Sequence, residues 1–379
     1  MVATGGTSAG AVLRAVLEGG VVPRSAVAKV AGLSPATVTM QVRALVEAGL
    51  LVEQAETASP AGMGRPHSPL ALHTAGNVVI GVHIAAEQAT VTVLDIAGAV
   101  RLSHRIPHPG LDPGEILAGA AAEVRRLLSE LSERVIGLGV AIGGWVDSSA
   151  GSVIDHGFLR WRNVAVRQYF SDHTGLPVSL DSHTRSLLHA EQLFGKVRHA
   201  SATVALFAGN VIDVAFAVHG RVHYGPRSAA GAITRLAGGE VAEALTECTD
   251  RALVARAQRE GLAVKTIPDL IVAAGRHEVA RELFAGRARV LGRAVAVLVD
   301  LLDPDAVVIV DPALVRVPGV RAAYLDTVRR YSSCERPEEI VTESSFLGKV
   351  LEVAAGAVVL QQLYSDPLAV VAAPEVAVL

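Results

Sequence analysis

A chain of 379 residues exceeds one small core and predicts two or three domains. It is 51% hydrophobic and 19% charged with a formal net charge of −3, which excludes disorder and a uniformly basic surface, so any DNA contact has to come from a local patch. Two cysteines, Cys248 and Cys334, make neither a disulfide framework nor a zinc cluster. No basic-then-apolar leader opens the chain. The apolar run 290–310 is broken by Arg293, Asp300 and Asp303, so no membrane partner and a cytoplasmic location are expected.

Val12, Leu13, Val16 and Leu17 stand at helical spacing and predict a helix over 8–19, closed by Gly19 and Gly20. Pro23 opens a second, short helix with Ser25 as its cap and Val27 and Val30 on its apolar side. Gly32 then suits a sharp turn, Ser34 an N-cap and Pro35 the first helical position, and a third helix runs to about 48. Its Val38, Val42 and Leu45 turn inward. Ser34, Thr37, Thr39, Met40 and Arg43 are left to face outward, with no acid before Glu47. Such a face fits a recognition helix: small polar and basic groups reach base edges, and no carboxylate repels phosphate. Up to Leu45 the segment carries Arg14, Arg24, Lys29 and Arg43 against Glu18 alone. Short strands at 50–52 and 70–72 enclose a loop whose Gly64-Arg65-Pro66 tip suits a narrow minor groove. Residues 1–75 therefore read as a winged helix-turn-helix that binds double-stranded DNA, and 76–379 as a separate α/β domain.

In that second part, strands are predicted at 78–82, 89–94, 135–142, 177–180, 203–207, 214–218 and 306–310, with a helix at 115–130. A coarse duplication places one strand group near 78 and another near 203. The arginines from 276 to 293 read as a solvated helix face.

Several stretches together resemble the ROK family (repressors, open reading frames and sugar kinases). They are Gly139-Val140-Ala141-Ile142-Gly143-Gly144-Trp145-Val146-Asp147, Trp161-Arg162-Asn163-Val164, Thr174-Gly175-Leu176-Pro177-Val178, Ala190-Glu191-Gln192-Leu193-Phe194-Gly195, Ala229-Ala230-Gly231 and Leu302-Asp303-Pro304-Asp305. The resemblance runs from the helix-turn-helix to the C-terminus. It implies a body of two ribonuclease-H-like lobes of the actin and sugar-kinase type. In the family's regulators the cleft between the lobes often senses a sugar.

By the same resemblance the kinase chemistry is missing. His83, Ala85, Ala86 and Glu87 stand where a first phosphate loop carries Asp, paired glycines and Thr. The second phosphate loop, Gly209-Asn210-Val211-Ile212-Asp213, holds bulk and an acid where glycines belong, Ser182-His183 replaces the Asn-Asp of the general base, and Val310-Asp311 replaces a glycine pair near the adenosine. Arg235 falls on the histidine of the family's zinc site and only Cys248 lies nearby, so no metal, no cofactor and no catalytic residue are expected. The sugar contacts read Phe158, Ser182, His183, Ala232 and Arg235, which argues against an ordinary hexose. Phe158, Trp161, Ser182, His183, Asp213 and Arg235, with His156, are the candidates for a rebuilt effector site for a less polar or anionic molecule. Otherwise the body binds nothing and serves to dimerise. The function expected is a repressor acting as a dimer or tetramer on an inverted repeat. The alternatives are a sugar kinase with a DNA-binding head and a ligand-free interaction scaffold.

Overall fold

The computed structural model describes residues 6–54, 68–233 and 240–372. Its N-terminal part is three helices, α1 (Ser8–Gly19), α2 (Arg24–Ala31) and α3 (Pro35–Glu47), then two strands, β1 (Leu51–Glu53) and β2 (Leu70–Leu72). The strands pair antiparallel with Leu51 opposite Leu72. Thr7 caps α1 by accepting from Gly10 N at 3.2 Å. Val12, Leu13, Val16, Val27, Val38, Val42, Leu45, Leu51 and Leu70 are all buried and form the core of this head. Two expectations for α2 fail. Its N-cap is Pro23, with no side-chain cap, so Ser25 lies inside the helix. Val30 is 60% exposed, because two turns of helix bring only Val27 to the core.

The rest of the chain continues as β3 (Asn77–Ile84), β4 (Gln88–Asp95), β5 (Val100–Pro107), α4 (Pro113–Glu130), β6 (Arg134–Ile142), β7 (Trp145–Asp147), β8 (Ser152–His156), β9 (Trp161–Val164), α5 (Val166–Thr174), β10 (Val178–Ser182) and α6 (His183–Phe194). The second half holds β11 (Thr203–Ala208), β12 (Ile212–Val218), β13 (Arg221–Val222), α7 (Glu240–Thr246), α8 (Asp250–Arg259), α9 (Ile267–Ala274), α10 (Glu278–Leu302), β14 (Ala306–Val310), α11 (Ala313–Arg316), α12 (Val320–Tyr331), α13 (Pro337–Ile340), β15 (Val341–Glu343), α14 (Val350–Ser365) and α15 (Pro367–Ala372). Two five-stranded sheets carry the same plan: β5-β4-β3-β6-β10 and β13-β12-β11-β14-β15. In each, three strands in sequence occupy one side and two strands reached through helices the other, so the duplication suspected near 78 and 203 is a repeat of sheet topology.

Two compact units result, one of 142–164 and 182–351, the other of the described residues up to 141, 165–181 and from 352 onward. In the second unit α14 lies directly on the sheet. A Cβ at Gly139 would overlap the Ala355 carbonyl, and one at Gly81 would meet Gly356 N at 2.8 Å, so glycine is what admits this approach. The buried Tyr364 hydroxyl donates to Ile96 O at 2.6 Å. The head is tied to the end of the same helix. Thr7 N donates to Ser365 O at 2.9 Å, and Arg14 donates to Tyr364 O and Gln361 Oε1, each at 3.2 Å.

In the first unit a continuous core joins β11, β12 and β14 to α8–α12, including Leu206, Val214, Leu253, Phe284, Leu291, Ile309 and Tyr324. One residue of the arginine run departs from a solvated face. Arg287 is 2% exposed and reaches Asp250 at 2.7 Å and Asp311 at 3.4 Å. Among the described residues no helix is long and apolar enough to cross a membrane.

Candidate nucleic-acid interface and effector site

The end of α2 is set by Gly32 at φ 66°, a left-handed conformation that glycine adopts without strain. Ser34 then starts α3, its Oγ accepting from Thr37 N at 3.1 Å and lying 2.8 Å from the Thr37 hydroxyl. These bonds fix the first turn of α3, which carries Ser34 and Thr37. Thr39, Met40 and Arg43 follow and are exposed, Met40 to 61%. The Thr39 hydroxyl donates back to Pro35 O at 2.9 Å, and Arg43 Nε donates to Glu47 Oε1 at 2.8 Å. That hydrogen bond raises Arg43 above its ordinary value, so it stays fully charged.

Sequence reasoning overcounted the free cations of the head. Arg14 is spent on the end of α14, Arg24 pairs with Glu53 and Arg43 with Glu47, while Lys29 is exposed. Exposed pairs exchange at little cost, so Arg43 remains available to a phosphate or a guanine edge. Arg65 lies outside the described residues, as does Arg235.

On the first unit, His156 and His183 converge on Gly143. A Cβ at Gly143 would stand 3.3 Å from His183 Cε1, 3.4 Å from His156 Nε2 and 3.2 Å from Val211. His183, buried at the start of α6, packs against Phe207 with ring centroids 4.1 Å apart. Asp213 faces Phe207 across the β11–β12 pair. Ser182 is buried as the cap of α6, accepting from Arg185 N at 3.3 Å. Phe158 lies under the Arg251 guanidinium at 5.9 Å, and Arg251 N donates to Asn210 Oδ1 at 3.1 Å. Trp161 is 1% exposed and paired with His156 across β8 and β9. Its neighbours Arg160 and Asn163 hold left-handed φ of 57° and 49°.

His156 Nδ1 accepts from Leu159 N at 3.2 Å, which places its proton on Nε2. Burial pushes His156 down to about 4 and His83, on β3, equally to about 4. Both are neutral when folded and titrate near 6.5 when unfolded, so the unfolded chain binds protons first as pH falls. Stability is therefore full above about pH 6.5 and drops toward pH 4, by up to about 3 kcal/mol for each histidine. Thermal melts at pH 7 and pH 5 should show the loss, and His83→Gln should flatten the profile.

At the stretches that the family resemblance aligns with nucleotide binding, backbone and side chains bond within the chain. The β3–β4 turn is closed by Ala85 N donating to Gln88 O at 3.0 Å, with Glu87 exposed at its tip. Gly209 O accepts from Asp250 N at 3.0 Å. Asp311, 2% exposed, pairs with Arg287 and accepts from the Tyr324 hydroxyl at 3.4 Å. Burial opposes the charge of Arg287, but Asp311 and Asp250 outweigh it and hold the guanidinium charged. Cys248 belongs to this core, and burial pushes its thiol up to about 11.

A three-helix head with a two-stranded sheet, joined to a body of two five-stranded sheets of one topology, defines the class of molecule. The ROK family model matches residues 79–330, and the chain belongs to the ROK family. It is 36% identical over 384 residues to the transcriptional regulator Rv0485 of Mycobacterium tuberculosis (strain ATCC 25618 / H37Rv), covering 96% of this chain and 87% of that protein. It is 22% identical to the DNA-binding transcriptional dual regulator NagC of Escherichia coli (strain K12), over 79% of each chain. The crystal structure of a ROK family transcriptional regulator, a homolog of the E. coli MLC protein, matches with a TM-score of 0.78 at 22% identity, covering 96% of this chain and 98% of that one.

Proposed function

We propose that the chain is a sequence-specific DNA-binding transcriptional regulator, a repressor that acts as a dimer on an inverted repeat. Residues 1–75 are its winged helix-turn-helix and 76–379 its dimerising and sensing body. The observation that carries this reading is α3. It is a capped helix with Thr39, Met40 and Arg43 exposed and no acid before Glu47, in a chain similar along 96% of its length to a named transcriptional regulator. Two-fold symmetry would set the half-sites one or two helical turns apart. The body is a regulator's and not a kinase's, a reading supported by the buried Arg287–Asp311 pair at the adenosine position and by Glu87 at the first phosphate turn. The effector site of this reading is formed by His156, His183, Asp213 and Phe158.

Genomic mapping of the tagged chain tests the proposal. Enrichment at discrete inverted repeats is expected, and uniform coverage counts against it. Within it, Arg65→Ala should weaken operator binding roughly five-fold or more at unchanged melting temperature. Equal affinity in a gel-shift titration removes Arg65 from the interface.

A further inference from the structure

Helices α10 and α12 of the first unit pack side by side with Gly292 against Thr327, and between them runs a groove of about 580 Å³. This is within the size range of small-molecule sites, and none of its lining residues falls on the family's sugar positions. At one end Tyr331 is 47% exposed, and two guanidiniums share its ring: Arg293 at 5.1 Å from α10 and Arg330 at 5.5 Å from α12. Both arginines are exposed, and among the described residues neither has a carboxylate partner. Two of the three acids that line the groove are paired. Glu282 pairs with Arg289, and Asp326 with Arg329 at 2.9 Å, while Glu278 stands in the first turn of α10 at the far end beside Arg281. The terminal carbonyls of α12 account for Arg330, which lies in its last turn, but not for Arg293, which projects from the middle of α10.

Two exposed guanidiniums gathered on one tyrosine ring offer the charge and the donors that a carboxylate or phosphate takes. We propose that this groove binds a small anion of the phosphate-monoester or carboxylate class. Its charged head lies between Arg293 and Arg330, and its polar body extends along the groove toward Arg281 and Glu278. A nucleic-acid backbone is disfavoured, because Glu278, Glu282 and Asp326 line the same groove and would face successive phosphates.

The test is calorimetric titration of the full chain with glycerol 3-phosphate, citrate and inorganic phosphate, with glycerol as the uncharged control. Saturable binding of at least one anion at one site per chain is expected, with none for glycerol. The double variant Arg293→Ala/Arg330→Ala should lose at least ten-fold in affinity, whereas Arg276→Ala, exposed and outside the groove, should bind as the parent does. The proposal is overturned if no anion saturates, or if the double variant binds equally well. It is also overturned if non-operator duplex DNA, rather than the anions, is what the double variant stops binding.

Discussion

Arg287→Ala is expected to destabilise the chain by roughly 3–5 kcal/mol, the cost of removing one partner from a buried ion pair. The guanidinium is 2% exposed and holds Asp250 at 2.7 Å and Asp311 at 3.4 Å. Without it Asp311, also 2% exposed, keeps the Tyr324 hydroxyl at 3.4 Å and Ala313 N at 2.9 Å but has no counter-charge. The double change Arg287→Met/Asp311→Leu should recover only part of the loss, since it removes the Asp311 charge but still leaves Asp250 and the Tyr324 hydroxyl without their partners. Urea denaturation at neutral pH reads both. A single variant within about 1 kcal/mol of the parent would mean the network carries no such weight.

The second large effect falls on DNA. Arg43→Ala should weaken specific operator binding by roughly 5- to 150-fold, about 1–3 kcal/mol, with folding stability unchanged. Stability is spared because its side chain is 81% exposed and its pair with Glu47 is an exposed i,i+4 pair worth only a few tenths of a kcal/mol. The logarithmic salt dependence distinguishes the contact. A phosphate contact lowers the slope by about one and weakens all sequences alike, whereas a base contact relaxes discrimination at one position. Glu47→Gln should act oppositely and tighten binding, because it removes the carboxylate that competes with DNA for Arg43.

Much of this was legible in the sequence because local rules sufficed. Gly32, Ser34 and Pro35 mark the turn and the start of α3, and the helix runs Pro35–Glu47 with Val38, Val42 and Leu45 buried. The strand at 306–310 is found at Ala306–Val310 because an unbroken apolar run between helices has no other use. The misses have tertiary causes. Arg14 looked like a DNA-facing cation because its partners, Gln361 and Tyr364, lie some 350 residues away. Arg287 read as one of a solvated row because helical spacing alone does not reveal Asp250 and Asp311 beneath it. The three-stranded sheet β7-β8-β9 went unread, its strands being only three to five residues long. At the proposed effector site, His156 and His183 are 27 positions apart in sequence. Only the fold brings both to Gly143, and it sets Trp161 into the core beside them.

Whether α3 reads sequence is measured by fluorescence anisotropy of the full chain on a genomic site recovered by mapping, against a scrambled duplex of equal length at one fixed salt concentration. The expected result is a preference of at least about 10³-fold for the recovered site, most of it lost in Arg43→Ala. Equal affinity for the two duplexes, or a preference that Arg43→Ala leaves intact, would show that sequence is not read by α3.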